Sequence, residues 1–231
     1  MAQPLVLIPG LLCTAALWRP QLDALADIAD MTVADHTRHN SMAALAQDIL
    51  AQAPARFALA GLSMGGYIAL EIVRQAPERV SRLALLDTNA RADTPEQKKM
   101  RQDFIALAGR GKFKGVTPRL IPNLIHPDRL DDHELKLTII HMARDTGTEV
   151  FIRQETAIMN RIDSRPHLPA IRCPALILCG REDKPSPLSL HEEMAALIPG
   201  ATLTVIERCG HLSTLERPEA VNAALREWLG R

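Results

Sequence analysis

The residues Gly61-Leu62-Ser63-Met64-Gly65 put a hydroxyl at the centre of a tight turn, after the apolar run Phe57-Ala58-Leu59-Ala60 and before the helical pattern Tyr67 to Val73. A strand that becomes a helix over so few atoms strains its central residue and leaves no room for side chains beside it, and Gly61 and Gly65 supply that room. Such a turn holds the Ser63 hydroxyl at its tip. The amide of Met64 then points from the positive end of the new helix toward any oxygen bound there. Together they offer a nucleophile and one half of an anion pocket.

A serine hydroxyl is weakly nucleophilic near neutral pH and needs a base, and histidine, with an ordinary pKa of about 6.5, is suited to the task. Of the eight histidines, His211 has the right placement: it follows the strand-like Leu203-Thr204-Val205-Ile206, sits in Cys209-Gly210-His211 and precedes the last helical pattern. The third member should be a carboxylate that accepts the other ring N–H and steadies the imidazolium. Asp183 is the first choice, because Gly180-Arg181-Glu182-Asp183 follows the apolar strand Ala175-Leu176-Ile177-Leu178 and completes the chain order Ser, Asp, His. Asp87, at the end of Leu83-Ala84-Leu85-Leu86, is the alternative acid, and Glu182 is a further rival. The other histidines have blander readings. His36 and His39 read as a solvated polar loop in preference to a metal pair. His126, His133, His141 and His167 read as packing or surface residues of the central region, and His191 as an exposed helix residue.

These groups must be carried by elements that deliver them to one place. Short apolar runs alternate with amphipathic segments, the pattern of an α/β, doubly wound, mostly parallel sheet covered by helices on both faces. At least six runs qualify as strands: Leu5–Ile8, Thr32–Ala34, Phe57–Ala60, Leu83–Leu86, Ala175–Leu178 and Leu203–Ile206. Met42, Leu45, Ala46, Ile49 and Leu50 form one helical stripe, and Val221, Ala224, Leu225, Trp228 and Leu229 another. From about Arg91 to Arg172 the alternation stops. Gly109-Arg110-Gly111-Lys112 lacks the full phosphate-loop pattern and follows no strand, so it reads as a basic turn.

Taken together, these segments resemble the α/β-hydrolase superfamily over nearly the whole chain, as a Ser-Asp-His member close to the carboxylesterases. The opening Leu7-Ile8-Pro9-Gly10-Leu11-Leu12, with Trp18 beyond it, resembles that family's oxyanion loop, and the resemblance implies that the amide of Leu11 is the second oxyanion donor beside Met64. Many members carry His-Gly where this chain has Pro9-Gly10; the amide is kept and the histidine side chain is not. The resemblance also implies that residues 91–172 are a helical cap inserted into a core of residues 1–90 and 173–231. The chain starts almost at the oxyanion strand, so a compact N-terminus is expected. The activity implied is hydrolysis of a small or medium acyl ester, with a small-molecule acyl substrate and no metal or organic cofactor. A lactonase, thioesterase, C–C bond hydrolase or perhydrolase would use similar residues, and a ligand receptor with negligible turnover could keep the same fold.

Composition agrees with one hydrolase-sized unit. The chain has 231 residues, of which 47% are hydrophobic, enough for one sizeable core and a small lid. Basic and acidic residues balance at 27 each, so nothing recommends nucleic acid or an anionic membrane as a partner. Apolar stretches end well short of the roughly 18 residues that span a bilayer, and Met1-Ala2-Gln3-Pro4 lacks a basic leader, so a cytoplasmic protein is expected. Cys13, Cys173, Cys179 and Cys209 form no C-x-x-C pair and read as free thiols. The seven aromatic residues favour an aliphatic pocket. Oligomeric state is not legible.

Overall fold

The computed structural model describes residues 2–112 and 115–230. The elements run β1 (Gln3–Ile8), α1 (Arg19–Ala24), β2 (Ala29–Val33), α2 (Met42–Gln52), β3 (Phe57–Leu62), α3 (Met64–Gln75), β4 (Val80–Leu86), α4 (Pro95–Leu107), α5 (His133–Met159), β5 (Ala175–Gly180), α6 (Leu188–Leu197), β6 (Thr202–Ile206), α7 (Ser213–Glu216) and α8 (Pro218–Gly230). The six strands form one sheet in the order β2-β1-β3-β4-β5-β6, and every neighbouring pair is parallel. Each of the six expected runs lies within or overlaps one of these strands.

Both faces of a parallel sheet covered by helices must be apolar, which is why β3 and β5 are buried at every position. The side-chain period of two then sorts residues between two cores. Leu5, Leu7, Ala58, Ala60, Leu62, Leu86, Leu176 and Leu178 pack with Leu17, Trp18 and Leu25 near α1 and with Val221, Leu225 and Trp228 of α8. Val6, Ile8, Leu59, Leu83, Leu85 and Ile177 pack with Leu45 and Ile49 of α2, Ile68 and Ile72 of α3 and Met194 of α6. Each fully buried leucine or isoleucine contributes about 1.5–3 kcal/mol, so the two layers fix the sheet from both sides. Register then brings the strand ends level. Gly61 pairs with Leu85, Leu86 with Leu178 and Gly180 with Ile206. The turns after β1, β3, β4, β5 and β6 therefore open at one edge, outside the carboxyl ends where ligands of open α/β sheets bind.

Between β4 and β5 the chain is helical. Thr94 caps α4 through a reciprocal bond with Gln97, and Asp132 caps α5 by accepting from the Leu135 amide. The α5 helix is broken at Gly147, where φ is 79°. None of the residues of α4 is buried. Residues 108–112 continue α4 as a wide π-helical turn with Gly111 at φ 71°, and no strand directly precedes them. Among the described residues, no helix is long and apolar enough to cross a membrane.

Candidate active site

Ser63 sits between β3 and α3 with φ 54° and ψ −115°, a region that costs a non-glycine residue on the order of 1–3 kcal/mol. The surrounding packing holds it there. A Cβ on Gly65 would stand 2.1 Å from the Ile8 carbonyl oxygen, and one on Gly61 would stand 2.2 Å from the Gly65 carbonyl oxygen. Neither obstacle can swing aside, because both are main chain. Gly65→Ala should therefore cost at least about 3 kcal/mol, a fall of roughly 6–12 °C in Tm for a chain of this length. Thermal unfolding followed by circular dichroism measures it.

The Ser63 hydroxyl donates to His211 Nε2 at 2.9 Å, and His211 Nδ1–H donates to both carboxylate oxygens of Asp183 at 2.9 Å. Those two bonds settle the tautomer: Nδ1 carries the proton and Nε2 is free to accept. Asp183 is buried and further held by the Ser186 amide at 2.8 Å. Burial disfavours the charged ring of His211, but the charge and hydrogen bond of Asp183, with Asp87 and Glu216 behind them, outweigh it and hold its pKa above the ordinary histidine value.

Asp87 is fully buried close by, yet its oxygens are used elsewhere. Oδ1 accepts from the Gly180 amide at 3.1 Å, and Oδ2 accepts from the Ser213 amide at 3.1 Å and the Ser213 hydroxyl at 2.5 Å. It joins the β5 and β6 turns beneath His211 rather than bonding the ring. Burial, with the charge of Asp183, pushes its pKa well above the usual carboxylate range. Glu182 accepts from the Cys209 amide at 3.0 Å.

On the other side of Ser63 lies the turn after β1. A Cβ on Gly10 would stand 3.4 Å from Ser63 Cβ, so the turn abuts the serine. Leu12 has φ 58° and its amide donates to Gln154 Oε1 at 3.0 Å. The amides of Leu11 and Met64 donate to no protein acceptor among the described residues. Gly10, Leu11, Leu12, Ser63 and His211 all line one cavity of about 550 Å³, a size usual for small-molecule sites. Its wall is mainly aliphatic, including Leu107, Leu120, Leu124, Ile139, Met142 and Ile158. Tyr67, Phe104 and Phe151 add aromatic surface, and Arg101, Glu155 and Arg161 add charge. Those three are matched by ion pairs: Arg101 donates to Asp93 at 2.5 Å and Glu155 at 2.6 Å, and Arg161 donates to Asp93 at 2.6 Å, while Lys112 adds a further positive charge to the wall.

Two histidine expectations are corrected. His36 is not solvated: it is 2% exposed and its Nε2–H donates to the Gly10 carbonyl at 2.9 Å, because the turn after β2 folds beneath the turn after β1. His191 is not an exposed helix residue either. It is fully buried on α6, accepts from the Thr88 amide through Nε2 at 2.9 Å, and burial brings its pKa down to about 4.

Sequence reading also missed Glu216 and Gln154. Glu216 is fully buried and accepts from the amides of Gly210 at 3.0 Å, Leu212 at 3.3 Å and His126 at 2.7 Å, which shapes the turn carrying His211. The His211 amide itself donates to the Leu124 carbonyl at 2.8 Å. The only sequence signal for Glu216 was a carboxylate five residues past His211, in the mixed stretch Leu212-Ser213-Thr214-Leu215-Glu216-Arg217. For Gln154 there was none, since its partner lies 142 residues away. Among the described residues, no group of three or more His, Cys, Asp or Glu is arranged to hold a metal ion.

A family model described as "Alpha/beta hydrolase family" matches residues 5–224. RutD of Serratia proteamaculans, named for carbamate hydrolysis, is 30% identical over 249 aligned positions covering 99% of this chain and 91% of that protein. The structure of a thermophilic esterase from Thermogutta terrifontis superposes with a TM-score of 0.91 at 31% identity, covering 100% of this chain and 90% of that one. An enol-lactonase from Burkholderia xenovorans superposes with a TM-score of 0.89 at 25% identity, covering 100% of this chain and 92% of that one.

Proposed function

The chain belongs to the alpha/beta hydrolase family, and on that footing we propose that it is a serine hydrolase cleaving a small or medium acyl ester through an acyl-enzyme on Ser63. The observation that carries this reading is the unbroken hydrogen-bond chain from Ser63 through His211 to Asp183, opening into a mainly aliphatic cavity of about 550 Å³. The likeness to the Thermogutta terrifontis esterase supports the ester bond as substrate.

In this reading the ester carbonyl lies over Ser63 with its oxygen toward the amides of Leu11 and Met64. Ser63 Oγ forms a bond to the carbonyl carbon as its proton passes to His211 Nε2, and Asp183 steadies the imidazolium. The two amides hold the oxyanion as charge develops, each worth on the order of a hundredfold or more in rate. Collapse of the intermediate breaks the bond to the alcohol oxygen, which takes the proton from His211. Water then enters, gives a proton to His211 Nε2 and attacks the acyl carbon; the bond from that carbon to Ser63 Oγ breaks, Ser63 takes the proton back from His211, and the acid leaves. No step calls for a metal or organic cofactor. Residues 91–172 act as a cap whose α4 and α5 walls set acyl length, and the partner is the small acyl substrate alone.

His211 must be neutral to accept the proton. Because its pKa is held above the ordinary value, kcat/KM should lose activity on the acid side with a midpoint above about pH 6.5. A midpoint below that value would contradict the grip of Asp183 on the ring. The reading itself is tested by steady-state turnover of 4-nitrophenyl esters from acetate to octanoate, beside an enol lactone and an aryl carbamate. The highest kcat/KM should fall on an ester of short or medium chain. A preference for the lactone or the carbamate by tenfold or more would reassign the substrate, and no turnover of any of them would sink the proposal.

A further inference from the structure

Both amides given to the oxyanion in the reading above belong to peptide units whose opposite ends are gripped by side chains. The Leu11 N–H shares a planar trans unit with the Gly10 carbonyl, so the two point in opposite directions. That carbonyl accepts from His36 Nε2–H at 2.9 Å and from the Cys13 amide at 3.1 Å. The Met64 N–H shares its unit with the Ser63 carbonyl, which accepts from Thr88 Oγ1–H at 2.8 Å and from the Gly66 amide at 2.9 Å. We propose that His36 and Thr88 are positioning residues that aim the two oxyanion donors by holding the carbonyl ends of their peptides.

The supports of each grip are themselves specific. His36 lies after β2 and stands where the chain has no histidine in its Pro9-Gly10 turn, so a donor from a neighbouring turn reaches the loop from beneath. Burial lowers its pKa and keeps the ring neutral, while the bond to Gly10 requires the proton on Nε2. Thr88 is fixed from behind by His191, which accepts its amide, and from in front by Gly66, where an added Cβ would stand 2.5 Å from both Thr88 Oγ1 and Cγ2. Only glycine at position 66 lets the threonine come this close. Removing either hydroxyl or ring donor frees a peptide to rock, and preorganisation of the amide is what the oxyanion needs.

This inference rests on the acyl-transfer reading, and the experiment separates the two. Native protein and Ser63→Ala are first compared on 4-nitrophenyl butyrate and on labelling by a fluorophosphonate. His36→Leu, His36→Gln, Thr88→Val and Thr88→Ser are then measured, with circular dichroism as the check on folding. His36→Leu and Thr88→Val should each lower kcat about 10- to 100-fold with KM within about threefold, and weaken butylboronic acid, which adds to Ser63 and places an oxygen on the amides, by a similar factor. His36→Gln and Thr88→Ser, which keep a donor, should recover most of the loss. If His36→Leu does not fold, the Val and Ser pair at position 88 still decides the claim for that residue and the Gln variant decides it for His36. Folded donor-less variants with native kcat and boronate affinity, or conservative variants no better than the donor-less ones, would overturn the inference alone. A native chain that neither hydrolyses the ester nor takes the label would remove the reading and this inference with it.

Discussion

Ser63→Ala should lower kcat for a 4-nitrophenyl ester by on the order of 10⁴- to 10⁶-fold, with the folded state kept. Under the proposed mechanism the substitution removes the atom that forms the acyl bond, and it leaves the elbow packing intact, since among the described residues the hydroxyl's one side-chain bond is to His211. His211→Ala should fall by a comparable factor, because Ser63 then has no group to take its proton. The double variant should fall no further than either single one, since the two residues act in one step and their losses do not add. Additive losses, or a Ser63→Ala protein within tenfold of native, would place the nucleophile elsewhere. Measurement requires turnover with freshly purified variants and thermal unfolding to show that both remain folded.

The second large effect separates the two buried carboxylates beneath the histidine. Asp183→Asn should lower kcat by on the order of 10⁴-fold: the amide that replaces the carboxylate cannot accept at both positions, so His211 loses its charge partner and its fixed tautomer. Asp87→Asn should behave in the opposite way. Its NH₂ cannot accept, so the amide of Gly180 or of Ser213 is left without its acceptor in a dry site. That costs about 1–3 kcal/mol, roughly 2–12 °C in Tm, while kcat stays within about tenfold. Turnover and unfolding of the two variants side by side give the answer. A collapse of activity in Asp87→Asn with native stability would make Asp87 the working acid.

What could be read in the chain followed from short-range rules. The four inner strands announce themselves as dense apolar runs, because a parallel sheet covered on both faces has no polar side to interrupt the pattern, whereas the edge strands β2 and β6 mix apolar and polar residues and are legible only as shorter apolar stretches. Ser63, Asp183 and His211 could be brought together on paper because each follows such a run, and parallel strands deliver their following turns to one edge. The misread residues share a different physics. His36 and His191 stand in polar stretches whose local sequence suggests solvent, and their burial comes from contacts 26 and 103 residues away with Gly10 and Thr88. Glu216 is an acid in a short helix until three amides converge on it. No periodicity encodes a hydrogen bond to a distant main-chain group, so buried polar anchors are where single-sequence reasoning ends.

The hold of residues 121–159 on the catalytic-edge turns bears on how this protein could be re-engineered. Leu124 accepts from the His211 amide and Gln154 accepts from the Leu12 amide, so this stretch is welded to both flanks of the serine. Exchanging it wholesale for the equivalent stretch of a relative would unfasten those flanks even if the graft filled the same volume. The helix α4, with no buried residue of its own, carries no such fastening. Libraries aimed at new substrate preferences should therefore vary Phe104 and Leu107, which reach the cavity from that helix, and leave Leu124 and Gln154 as fixed joints of the scaffold.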